Sequence, residues 1–150
     1  MHRVRRASSY AIAVACVSVL AAGSLRSQPA STPSAALDFE FFKNKVEPIF
    51  LAKRPGHTRC VVCHTINNAP LHLVPLTPGS ATWNEEQSRR NFQLIQRVVV
   101  PGYEGSKLLV HPLAEQAGGD PHHGGGQQFG SQNDPEWQTL KEFVLGAKLK

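Results

Sequence analysis

Arg59-Cys60-Val61-Val62-Cys63-His64 is the stretch on which the reading of this chain turns. Two thiols three residues apart lie on the same side of one helical turn. There they can add to the two vinyl groups of one porphyrin, and a histidine directly after the second cysteine falls beneath the iron. This is the attachment sequence for a c-type haem. It makes Cys60 and Cys63 the thioether donors of one covalent haem c and His64 the proximal iron ligand. The rival readings need more than the sequence contains. A structural zinc site needs four ligands, so two histidines would have to join the two thiolates. A redox Cys-x-x-Cys belongs on a strand-to-helix turn, and no strand pattern precedes Cys60. A plain disulfide leaves His64 unexplained.

Before this motif, the chain reads as an exported protein. His2-Arg-Val-Arg-Arg6 is basic, Tyr10 to Leu25 is an almost unbroken apolar run, and Ser27-Gln-Pro-Ala-Ser-Thr-Pro-Ser34 is polar. That order is a secretory signal peptide, and its apolar run falls short of the ~20 residues of a spanning helix. The expected organisation is a signal peptide over 1–27, with cleavage between 23 and 30, a flexible leader over 28–37, and a haem domain over 38–150. Cys16 lies in the apolar run and is expected to leave with it. The location is then periplasmic, or otherwise outside the inner membrane, with no stable span in the exported chain.

The charge balance removes another class of function. The chain holds 16 Lys+Arg against 11 Asp+Glu, but Arg3, Arg5, Arg6 and Arg26 all lie in the expected signal peptide and every acidic residue lies at Asp38 or later. A near-neutral remainder offers no field for a nucleic acid. Nor can any pair of acidic residues, or any Ser, His and Asp order, be defended as a catalytic set. The expected role is a carrier rather than an enzyme.

Helical periodicity recurs along the domain. Phe39, Phe42, Val46, Ile49 and Phe50 follow the spacing of a buried helix face. Asp38 is its expected N-cap, and Pro48 is expected to distort its last turn. Thr82-Trp-Asn-Glu85 reads as a capping box opening a second helix, with apolar Phe92, Ile95, Val98 and Val99 and a stop at Pro101-Gly102. Ser106 should cap a short helix over Lys107–Val110. Asp134-Pro135 should start the last, with Trp137, Leu140, Val144 and Ala147 as its stripe. The stretches 65–81 and 117–133 read as loop. The expected class is all-α, three to five helices with long loops wrapped around one covalently bound haem.

The ordering of these parts resembles a known family. An amphipathic helix, Cys-x-x-Cys-His, wrapping loops, a middle helix and a last helix with Trp137 are similar to small monohaem cytochrome c domains of the class I type. Val46-Glu-Pro-Ile-Phe50, Arg59-Cys-Val-Val-Cys-His64, Pro101-Gly102 and Ser106-Lys-Leu-Leu109 resemble more closely the exported cytochrome c-like domains of planctomycetes and acidobacteria. The resemblance spans nearly all of 38–150, and only the haem motif in it is highly specific. It implies the cytochrome c fold, with first and last helices crossing, and single-haem electron transfer to redox partner proteins.

One departure concerns the sixth ligand. Class I domains usually supply a methionine, and the single methionine here is Met1. The resemblance places that ligand in the loop before the last helix, which makes His123, followed by Gly124-Gly-Gly126 and then Phe129, the expected sixth ligand and His111 the alternative. His57 reads as a surface histidine, and His72 and His122 remain lesser candidates for the same ligand. Arg59, Arg89 and Arg90 are the candidate propionate partners. A haem with an open or weak sixth position, acting as a gas sensor or peroxidase-like module, is the alternative function, and a zinc-bound structural module the third.

Overall fold

Asp38 accepts the Phe41 amide at 2.8 Å through its side chain and so opens the first helix, as its position predicts. In the computed structural model that describes the protein, residues 36–66 and 69–149 are placed; the signal-peptide segment and most of the leader lie outside the described residues. Phe39–Phe41, Phe42–Val46 and Glu47–Leu51 run on as one helix, α1, whose middle segment is π-helical. The distortion assigned to Pro48 therefore sits one turn earlier than expected. The reason is local: a proline removes the bond to residue i−4, here Asn44, and its ring presses on that carbonyl. Widening the preceding turn relieves both.

Cys60–His64 forms the single-turn helix α2, Glu85–Ile95 forms α3, Lys107–Val110 forms α4 and Pro135–Val144 forms α5. A 3-10 turn at Glu115–Ala117 interrupts the long loop, and Leu113 and Phe129 meet in an isolated parallel bridge. Among the described residues there is no β-strand, so the class is all-α. None of the described helices is long and apolar enough to cross a membrane.

Two expected boundaries move. The box opening α3 is formed by Asn84 and Gln87: the Asn84 side chain accepts from the Gln87 amide at 2.9 Å, and Gln87 Oε1 accepts from the Asn84 amide at 3.1 Å. An amide pair serves as well as the hydroxyl–carboxylate pair expected at Thr82 and Glu85. At its far end α3 stops at Ile95, well before Pro101, because Arg97 and Val98 already bond back in tighter turns to Leu94 and Ile95.

The core is aromatic and lies among α1, α3 and α5. Phe42 sits 5.5 Å from Phe92, 5.7 Å from Phe143 and 6.5 Å from Phe50, ring centre to ring centre. Such tilted pairs add about 0.5–1.5 kcal/mol each beyond the area they bury. The first and last helices thus pack together through Phe41, Phe42 and Phe143. Trp137 fixes α5 to α4 by donating its indole N–H to the Leu109 carbonyl at 3.0 Å.

Candidate functional site

The α2 turn stands at the edge of this core. Val61 is buried, Val62 is exposed, and Cys60 packs partly against the core. Both Cys60 and Cys63 are half-buried free thiols. Burial pushes the Cys60 thiol up, and the nearby Arg54 guanidinium opposes that rise.

His64 closes the turn, and its ring is fixed by one bond. Nδ1 donates to the Leu71 carbonyl at 2.8 Å, while Leu73 donates its amide to the His64 carbonyl at 2.6 Å. Leu71 and Leu73 are buried, so the stretch after the motif is strapped to the core on either side of His72. Since a carbonyl only accepts, Nδ1 carries the proton and Nε2 presents its lone pair. Burial lowers the affinity of His64 for a second proton, which the Leu71 bond partly opposes and the neighbouring His123 reinforces. The ring is therefore a neutral nitrogen donor at ordinary pH.

His123 faces His64. Their ring centres are 6.2 Å apart and their planes 18° apart. Two imidazoles bonded to opposite sides of one metal ion at about 2 Å each have ring centres roughly 6 Å apart. His123 is oriented as His64 is, with Nδ1 donating to a carbonyl, that of Gly126, at 2.6 Å. The returning Gly126 amide donates to the His123 carbonyl at 2.9 Å, and Gly126 has φ 76°, a conformation glycine adopts without strain. A side chain on Gly125 would press on the ring, its Cβ 3.3 Å from His123 Cε1. The glycines thus close the loop on the histidine itself.

His111 also lies close to His123, with ring centres 6.2 Å apart and planes 19° apart. Its Nδ1 is 3.0 Å from Asp120 Oδ2 but out of line for a hydrogen bond. Burial and Lys107 lower its proton affinity. Asp120 is the hub of this loop: Lys107 reaches one oxygen at 2.8 Å and the His122 amide the other at 2.9 Å. These bonds hold its carboxyl well below the usual carboxylate range. His122 points into solvent and His57 is exposed, while His72 donates to the Ile66 carbonyl at 3.0 Å.

Of the sequence-predicted residues, Cys60, Cys63 and His64 share one turn, and His123 is the imidazole brought opposite His64. Arg59 and Arg90 are exposed, and Arg89 is committed to Glu85 and to the Phe39 ring. The arginine beside the motif is one that sequence reasoning passed over. Arg54 Nη1 lies 4.0 Å from Cys60 Sγ, with its guanidinium over Phe129 at 4.9 Å and paired with Glu136. Its partner is 82 residues away, so no local pattern marks it.

Three features fit a covalently held haem: thiols on one turn, a neutral His64 with Nδ1 tied to a carbonyl, and a nearby His123 tied by the same kind of bond. Tying Nδ1 to a carbonyl is how metal-binding histidines are usually oriented. Among the described residues no three His, Cys, Asp or Glu side chains converge as a nest for a bare metal ion. No protein-family model, no curated protein and no solved structure matches the chain.

Proposed function

We propose that the chain is an exported c-type cytochrome with a cytochrome c-like fold, carrying one haem on Cys60 and Cys63 and transferring single electrons between redox partner proteins. The pairing of His64 with His123 carries this reading, because it brings two imidazole rings to 6.2 Å, centre to centre, beside a pair of correctly spaced thiols. When bound, the haem supplies a one-electron iron couple. The residues supply the rest. Cys60 and Cys63 would anchor it, His64 and His123 would be its two protein ligands, and the Leu71 and Gly126 carbonyls keep those rings turned. With both ligands supplied by protein, the reading is a carrier rather than an enzyme.

Imidazole in place of methionine favours ferric iron, so the reduction potential should lie below that of a His/Met cytochrome c. The test is a visible spectrum of the chain produced in a haem-attaching host. A low-spin ferric spectrum, with one haem's mass retained through acid–acetone extraction, supports the proposal. High-spin ferric haem that binds carbon monoxide readily once reduced would replace it with the open-position sensor or peroxidase-like reading. No Soret band at all would end it.

A further inference from the structure

Arg54 is the least expected charge in the molecule. It leaves α1 just before Pro55-Gly56 and turns inward, so that its side chain is only 12% exposed. Four contacts hold it: the Ile49 carbonyl accepts from Nη2 at 3.3 Å, Glu136 pairs with the same nitrogen, the Phe129 ring lies beneath, and Cys60 Sγ is beside Nη1. Its Nε–H has no partner. A guanidinium does not lose its proton in proteins, so this is a permanent positive charge in a poorly solvated place, next to an attachment sulfur.

We propose that Arg54 sets the local field at the Cys60 attachment point and holds the iron of the proposed haem toward its reduced state, with Glu136 as counterweight. The inference rests on the haem reading. Ferric iron carries one more positive charge than ferrous iron, so a nearby cation disfavours the ferric form and raises the potential. The Glu136 carboxylate opposes this, but unequally. Its side chain is 40% exposed against 12% for Arg54, and water screens an exposed charge far better than a buried one. The cation is the stronger of the pair.

A purely structural role is the competing account, since Arg54 also ties the 52–59 segment to α5. The two accounts differ in sign. Arg54→Gln and Glu136→Gln both break the same ion pair, so a structural role moves the potential the same way in both. A field effect moves it down in Arg54→Gln and up in Glu136→Gln. Arg54→Lys keeps the charge and should stay near the wild type. The measurement is the midpoint potential of the full-length holoprotein and its three variants in one buffer. Shifts of opposite sign, with the lysine variant retained, support the proposal. Shifts of the same sign, or none, overturn it and leave the haem reading intact. Should Arg54→Gln fail to fold, Glu136→Gln alone decides, and a potential that is unchanged or lowered is fatal to the field effect. A wild-type chain without covalent haem ends the underlying reading itself, and is seen before any variant is titrated.

Discussion

Between α1, α3 and α5 the chain buries Phe42, Ile95 and Phe143 completely and Leu140 to 1% exposure. Around His64, His123 and His111 the rings are only partly buried; the Leu71 carbonyl steers the first and the Gly126 carbonyl the second, while His111 lies beside the Asp120 carboxylate without a hydrogen bond. The first region is held by contact area, and every large side chain in it serves its neighbours. The second is held by directional bonds from ring nitrogens to backbone carbonyls, with the rings 6.2 Å apart, centre to centre. Stability and chemistry are thus assigned to different parts of one small domain, and each part can be damaged without the other.

The sharpest way to break that division is in the aromatic region. Phe143 touches Phe41, Phe42 and Phe92, so Phe143→Ala removes a ring from the centre of the packing. The expected cost is about 3–5 kcal/mol, a large share of the 5–15 kcal/mol typical of a whole domain. Urea unfolding of the chain without haem should show it. A loss below about 1 kcal/mol would mean that this core is not what holds the fold.

The histidines should behave in the reverse manner. His64→Ala and His123→Ala each remove one bond to a carbonyl, worth about 0.5–1.5 kcal/mol, so the haem-free chain should unfold at nearly the wild-type urea concentration. The proposed holoprotein should change completely, since His123→Ala would remove one of the two protein ligands of its haem and should turn the ferric spectrum high-spin. His111→Ala should remain low-spin. If the two variants exchange these spectra, His111 is the ligand and His123 the bystander.

Half of this contrast is visible in the sequence and half is not. The α2 turn, the Asp134 helix start and the apolar faces of α1 and α5 follow from spacings within a few residues, where local sterics and capping decide the outcome. Ser106 stands at the start of α4 but does not cap it: its Oγ accepts from the Val100 amide at 3.2 Å instead. His123 was marked only through a resemblance, because nothing in His122-His123 itself distinguishes the two rings. What separates them is the turn at Gly126, whose carbonyl accepts from His123 Nδ1, while His122 is left with Asp120 at the surface. Arg54, Asp120 and the Asn84–Gln87 box were missed for different reasons. The first two act through partners far along the chain or on another element. The box uses amides where hydroxyl and carboxylate were sought.

That box provides a smaller test of how local the α3 boundary is. Asn84→Ala removes the acceptor for the Gln87 amide and should cost about 1 kcal/mol, read as a modest fall in melting temperature with no change in the haem spectrum. If Thr82→Ala costs as much and Asn84→Ala nothing, the helix starts where the sequence pattern alone put it.

The smallest effect, and the one most specific to the core side of the division, concerns Glu47. This carboxyl is 5% exposed; Ser88 donates to Oε2 at 2.8 Å, while Oε1 has no partner. Burial raises its pKa above the ordinary 4.5, and the Ser88 bond only partly offsets this. The folded chain therefore keeps the Glu47 proton at pH values where the unfolded chain has released it. Stability from this group is complete below the unfolded value, declines as pH rises through the folded value, and is flat above it. Lys-paired carboxyls such as Asp120 and Glu85 have lowered pKa values and contribute in the opposite sense, losing stability toward acid. Total stability mixes the two signs, so the informative quantity is the difference between wild type and Glu47→Gln. The glutamine variant has no charge to bury, and should gain on the wild type steadily from about pH 4 upward until Glu47 is fully ionised in the fold. Melting temperatures of both proteins across that range check it. A gap that stays constant with pH, or widens toward acid, would show that Glu47 is solvated or paired in the fold, and that the core side tolerates a charge after all.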